Sequence, residues 1–142
     1  MPLDDLQLAH GYSGFKAYSQ SKLANVMFTY ELDRRLEGTA SANCFHPGWV
    51  ATRIGAINPL LAPLMRLLTL FGARSPEQGA ATAVQLALEA EGGQISGRYW
   101  FDGQPARTSK LSYDRDLWRR LWRESERLVG LNSDLALPEP TA

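Results

Sequence analysis

The sequence predicts an α/β fold, and three observations predict it. A long helical periodicity runs from about Phe15 to Glu37. A short apolar run, Ala40 to Phe45, follows it and breaks at His46-Pro47-Gly48. A second strand-like run, Gly97 to Phe101, sits between two further helical segments. Strands that alternate with helices point to a parallel sheet. Two such strands, with both faces to cover, are expected to sit among several others.

Each element has a local cause. Pro2, Gly11 and Gly14 make residues 1–14 irregular. In the first helix Leu23, Val26, Met27, Tyr30 and Arg34 share one side, while Phe28, Leu32 and Leu36 broaden it. An arc that wide predicts a helix buried on two sides, with Gly38 as its stop. The run Ala40 to Phe45 reads as a buried strand ending at a functional loop. Residues 54–73 are nearly all apolar. Pro59, Pro63, Asn58 and Arg66 argue against a membrane span there and for short helices forming a lid.

Ser75-Pro76-Glu77-Gln78 is a helix start with capping-box spacing, and that helix is expected to run to about Glu91 and stop at Gly92-Gly93. Gly97 to Phe101 is rich in strand formers, and Asp102-Gly103 turns out of it. Ser112 is expected to cap a last helix whose apolar face is Leu117, Trp118, Leu121, Trp122, Leu128 and Val129, ending at Gly130. The expected organisation is one domain over residues 1–131, with a loose tail at 132–142.

Bulk composition removes several functional classes. The 142 residues are 44% hydrophobic, enough for one core, and 15 basic residues balance 15 acidic ones. No basic excess favours nucleic acid. In the run Trp118 to Arg123 the tryptophans join the leucines and the arginines face outward. Cys44 is the lone cysteine, so an internal disulfide is excluded and a reducing, cytoplasmic setting is expected. The N-terminus carries no basic segment followed by an apolar run, so a signal peptide is not expected.

The chemistry concentrates in two places. Tyr18 and Lys22 open the periodic helix four residues apart, which puts them on one face. A free phenol ionises near pH 10, and an adjacent ammonium favours the phenolate, so such a pair suits proton exchange with a carbonyl or an alcohol. A surface Tyr/Lys pair at a helix start is the alternative. Tyr12 and Lys16 repeat the spacing, but Gly11 and Gly14 take that pair off a regular helix. The second place is His46-Pro47-Gly48-Trp49-Val50-Ala51-Thr52, a turn at the carboxyl end of a strand, where open α/β sheets bind ligands. His46 reads as a structural loop histidine, with no metal-ligand cluster around it. Cys44 reads as packed.

Together these stretches resemble the short-chain dehydrogenase/reductase family. Tyr18-Ser19-Gln20-Ser21-Lys22-Leu23-Ala24-Asn25 is similar to its catalytic helix, His46 to Thr52 to its Pro-Gly cofactor loop, and Ser96 to Phe101 to its last strand. Leu117 to Gly130 and Asp4-Asp5-Leu6-Gln7 resemble the retinol-dehydrogenase-like branch. The resemblance covers about residues 3–131. It implies the C-terminal half of a Rossmann-type doubly wound parallel sheet, with two strands and about four helices, and with the N-terminal half missing.

The resemblance also implies roles. Tyr18 would donate or accept the proton. Lys22 would assist it and hydrogen-bond the ribose of NAD or NADP. Pro47, Gly48, Val50 and Thr52 would line the nicotinamide end of the cofactor. Residues 54–73 would be a substrate lid for an apolar alcohol, aldehyde or ketone. The Tyr18 helix would join a dimer interface.

The family's glycine-rich pyrophosphate turn and its catalytic serine have no counterpart in this sequence, and Ser13 and Ser19 are poor substitutes. The expectation is therefore an oxidoreductase segment that needs a complementing N-terminal half to bind NAD(P) and turn over. The alternative is a non-catalytic interaction module, or one that binds a membrane surface peripherally.

Overall fold

The computed structural model describes residues 3–50, 73–88 and 95–131. The expected lid, Thr52, the stop at Gly92-Gly93 and the tail lie outside these residues. The chain divides into two compact units: Met1–Cys44, Ile95–Tyr99 and Arg107–Ala142 in one, Phe45–Gln94 and Trp100–Ala106 in the other.

The first unit is built on helix α1, Gly14–Leu36. It closes through Glu37, which takes the left-handed conformation at φ 45°, one residue ahead of the expected stop at Gly38. Met27 and Tyr30 are buried, as the apolar spacing requires, but so are Glu31 and Arg35. Burial on two sides is not observed: Phe28 is 40% exposed and Phe15 83%.

Helix α3, Arg115–Val129, packs along α1. Trp122 stacks on Phe28 with ring centroids 4.8 Å apart, and Trp118 tilts against Tyr30 at 5.3 Å. Of these four, Tyr30 and Trp122 are buried, and full burial of a large apolar side chain contributes about 1.5–3 kcal/mol. Leu121 and Trp122 are buried, whereas Leu128 and Val129, expected on the same face, are exposed in the last turn. Gly130 ends the helix at φ 66°, with its N–H donated to the Arg127 carbonyl and that of Leu131 to Glu126.

The cap of α3 differs from expectation. Asp114 caps it, its carboxylate accepting from the N–H groups of Asp116 at 3.0 Å and Leu117 at 3.2 Å. Ser112 is instead buried in a 3₁₀ turn, Lys110–Tyr113, where its hydroxyl donates to the Ser109 carbonyl and pairs with Thr108. A serine and an aspartate two residues apart both satisfy the cap rule, and the tertiary contacts take the serine.

The sheet has three strands, β1 (Cys44–His46), β2 (Tyr99–Phe101) and β3 (Gln104–Ala106), in the order β1-β2-β3. Two strands were expected. β1 and β2 run parallel: the Gly97 N–H bonds Ala42 and, further along both chains, the Cys44 N–H bonds Arg98. β1 begins later than the expected Ala40 because the Ala42 N–H is taken by the Ser96 hydroxyl. It is also less buried than expected, Phe45 and His46 both being exposed. The two helices so far described, with one more below, make three α-helices among the described residues; the expected lid helices lie outside them.

In the second unit β2 and β3 form an antiparallel hairpin through Asp102 (φ 56°) and Gly103 (φ 71°), the left-handed pair that a two-residue turn demands. Helix α2, Pro76–Leu88, carries the predicted capping box: the Gln78 N–H bonds Ser75 Oγ at 3.2 Å, and the Ser75 N–H bonds Gln78 Oε1 at 2.9 Å. The buried Thr82 accepts the Gly103 N–H at 3.0 Å, tying hairpin to helix. A side chain at Gly79 would strike Val50, so the glycine permits that close approach.

Candidate functional site

Tyr18 and Lys22 lie in the second and third turns of α1. The spacing brings them together: Lys22 Nζ stands 5.4 Å from the centroid of the Tyr18 ring. Such an exposed cation–π contact contributes about 0.5–1 kcal/mol. Tyr18 is 62% exposed, so its phenol is open to a ligand. Lys22 has no carboxylate partner among the described residues and keeps its donors available. The first turns are anchored by Gln20, whose amide donates to the Leu6 carbonyl at 2.9 Å, and by Ser21, which bonds the Tyr18 carbonyl at 2.8 Å. Tyr12, of the rival pair, precedes the helix, and Gly11 turns there at φ 70°.

Tyr18 and Lys22 belong to the first unit, and Pro47, Gly48 and Val50 to the second. At the end of β1 Gly48 adopts φ 78°, which an L side chain resists. Its N–H donates to His46 Nδ1 at 2.8 Å. His46 is thus a loop histidine whose ring holds the turn and tilts against Phe101, centroids 5.8 Å apart. Beyond the turn, the Trp49 carbonyl accepts from the Arg74 N–H at 2.7 Å, and Val50 and Arg74 form a parallel bridge. The Arg74 guanidinium pairs with Asp102 at 2.9 Å and lies 5.5 Å from the Phe101 centroid. Sequence reasoning missed Arg74. A lone cation ahead of a helix cap carries no local signal.

Other titratable groups serve structure. Burial pushes the Cys44 thiol up, and the half-buried Sγ lies 3.9 Å from the Arg98 carbonyl. Burial also raises Tyr30, to about 12, and its hydroxyl bonds Thr108 at 3.2 Å. Among the described residues no cluster of three His, Cys, Asp or Glu side chains could hold a metal. No helix among them is long and apolar enough to cross a membrane.

Each unit thus contributes its own feature: an ammonium beside a phenol on α1 in the first, and a strand-end turn at a left-handed glycine in the second. No glycine-rich turn for a pyrophosphate occurs in the sequence.

Comparison with known proteins gives the same direction. The chain is 41% identical over 132 residues to retinol dehydrogenase 14 of Homo sapiens, covering 90% of this chain and 39% of that protein. It is 38% identical over 140 residues to human retinol dehydrogenase 13, with 91% and 41% covered. Over 139 residues it is 37% identical to polyprenol dehydrogenase of Danio rerio, with 92% and 42% covered. The chain thus spans about two fifths of the length of these relatives. Among solved structures, a crystal structure of an uncharacterized protein from Mycobacterium Paratuberculosis matches with a TM-score of 0.65 and 27% identity, over 96% of this chain and 46% of that one. No family model matches the chain.

Proposed function

Because the chain is homologous to the C-terminal part of the retinol-dehydrogenase-like short-chain dehydrogenases/reductases, we propose that it supplies the proton-transfer side chains and the nicotinamide-end loop of an NAD(P)-dependent oxidoreductase domain of Rossmann type. The observation that carries this reading is Lys22 standing over the Tyr18 ring on an exposed helical face.

The cofactor, when bound, gives or takes hydride at its nicotinamide ring. The Tyr18 phenol holds the proton that passes to a carbonyl oxygen during reduction, or takes one from an alcohol during oxidation. Lys22 offers positive charge to the same face and N–H donors to ribose hydroxyls. Gly48 turns the chain so that backbone groups of the Pro47–Val50 segment lie at the strand end, where the nicotinamide carboxamide would seek them. Thr52 would extend that set. The substrate class is an apolar alcohol and its aldehyde or ketone. The exposed Phe15 on α1 supports pairing with a second copy through that helix.

The sequence carries no glycine-rich pyrophosphate turn, so on this reading turnover needs a complementing N-terminal half. The test supplies NADH or NADPH and retinal-like or simpler apolar carbonyls to two proteins. One is this chain. The other is this chain fused behind the glycine-rich part of a homologous dehydrogenase. Oxidation of cofactor by the fusion alone, abolished by Tyr18→Phe, is the expected result. A folded fusion that binds cofactor but reduces none of the carbonyls would overturn the reading.

A further inference from the structure

Arg74 meets the segment after β1 at three residues and the β2–β3 hairpin at two. The Arg74 N–H bonds the Trp49 carbonyl at 2.7 Å, and residue 74 bridges Val50. Its guanidinium pairs with Asp102 at 2.9 Å and faces the Phe101 ring at 5.5 Å. It also passes against Gly48: a Cβ built there would lie 2.8 Å from Arg74 Nε and 2.9 Å from Cδ. The glycine thus meets two demands, a left-handed backbone and room for the arginine stem.

From this geometry we propose that Arg74 is a positioning residue for the nicotinamide-end loop, a role that rests on the cofactor reading above. The loop has few bonds of its own: Gly48 donates to His46, and Trp49 accepts from Arg74. Arg74 joins the loop to the hairpin turn at Asp102, which Thr82 and Gln85 in turn fasten to α2. A guanidinium held by a carboxylate and an aromatic face has little rotamer freedom left. It therefore fixes the direction in which the Gly48 and Val50 backbone groups point, without touching the ligand. Functional loops work when a second set of contacts holds the first.

The experiment uses the full 142-residue chain, labelled with ¹⁵N, and nicotinamide mononucleotide as probe, which needs no pyrophosphate cradle. In the unliganded protein, Arg74→Ala should move the Gly48 amide resonance and speed its hydrogen exchange, while Gly130 stays unchanged. The mononucleotide should shift the Gly48 and Val50 amides in the native chain. Arg74→Ala should weaken that binding about fivefold, the effect of one partly screened ion pair and one cation–π contact. Arg74→Lys, which keeps the charge, should restore most of it. Asp102→Asn, at an exposed turn, should weaken binding to a lesser degree and guards against misfolding of the alanine variant. Equal binding by native and Arg74→Ala chains, or unaltered Gly48 exchange, overturns the positioning role and leaves the cofactor reading standing. If the mononucleotide leaves the native Gly48 and Val50 amides unmoved, the cofactor loop fails and the positioning role falls with it.

Discussion

Arg35 and Arg74 are each held by a carboxylate and an aromatic ring, in opposite surroundings. Arg35 lies between α1 and α3, its side chain 3% exposed, with Nε 2.8 Å from Glu31 and its guanidinium 4.7 Å from the Trp122 ring. Glu31 is fully buried and also accepts from Arg34. Arg74 is 29% exposed, and its partner Asp102 is 67% exposed. The same three-part contact is a buried core element in one place and a partly solvated brace in the other. Removing water is what separates them: a buried charge cannot lose its partner cheaply, whereas an exposed one finds water instead.

That contrast can be broken in several ways, and the largest effect belongs to the buried site. Glu31→Ala should cost about 3–5 kcal/mol of folding stability, because a buried ion pair loses its carboxylate. Urea unfolding would measure it, and a loss under ~1 kcal/mol would show that water reaches Arg35. At the exposed site Gly48→Ala should cost about 1–2 kcal/mol, from the left-handed backbone and the contact with Arg74. Adding Arg74→Ala should return the steric part only, so a double-mutant cycle separates the two causes. Asp114→Ala, which removes the cap of α3, should cost about 1 kcal/mol. If Ser112→Ala matched it through helix loss, the cap would be misassigned. Circular dichroism at 222 nm tells these apart, since only the cap variant should fray α3.

The smallest effect appears only in alkali. Burial raises the Tyr30 phenol to about 12, above its usual 10, so the neutral form is favoured in the folded chain. Its contribution is complete below pH 10 and is lost as pH rises toward 12. Tyr113, whose ring stacks on Tyr30, is held low by its hydrogen bonds with Thr108 and contributes with the opposite sign. Tyr30→Phe should therefore flatten the fall in unfolding midpoint across that range, and Tyr113→Phe should steepen it. An unchanged slope in Tyr30→Phe would assign the alkaline loss elsewhere.

What the sequence discloses follows the reach of each interaction. The capping box at Ser75 and Gln78 and the stop at Gly130 close within a few residues, so local pattern suffices for them. The juxtaposition of Tyr18 with Lys22 is equally local, being helix geometry alone. Ser112 and Asp114 show the limit, since both satisfy the cap rule and only packing chooses. Asp102-Gly103 was legible as a turn, but Gln104-Pro105-Ala106 lacks strand formers, and its pairing with β2 had to be seen. Glu31 and Arg35 drew no expectation, and a reading by hydrophobicity cannot find charges that bury one another. Arg74 is the extreme case, because its partners at 48, 49, 101 and 102 lie 25 or more residues away.

Pro105 in β3 has one more consequence. In a two-residue hairpin the residues flanking the turn bond each other, so the next position directs its amide away from the partner strand. Here that position is an imino acid with no hydrogen to offer, on the outer rim of the β1-β2-β3 array. That rim is blunted against accretion of another polypeptide. Any further ladder rungs must therefore be laid beside Cys44–His46, which gives the sheet a single direction of growth.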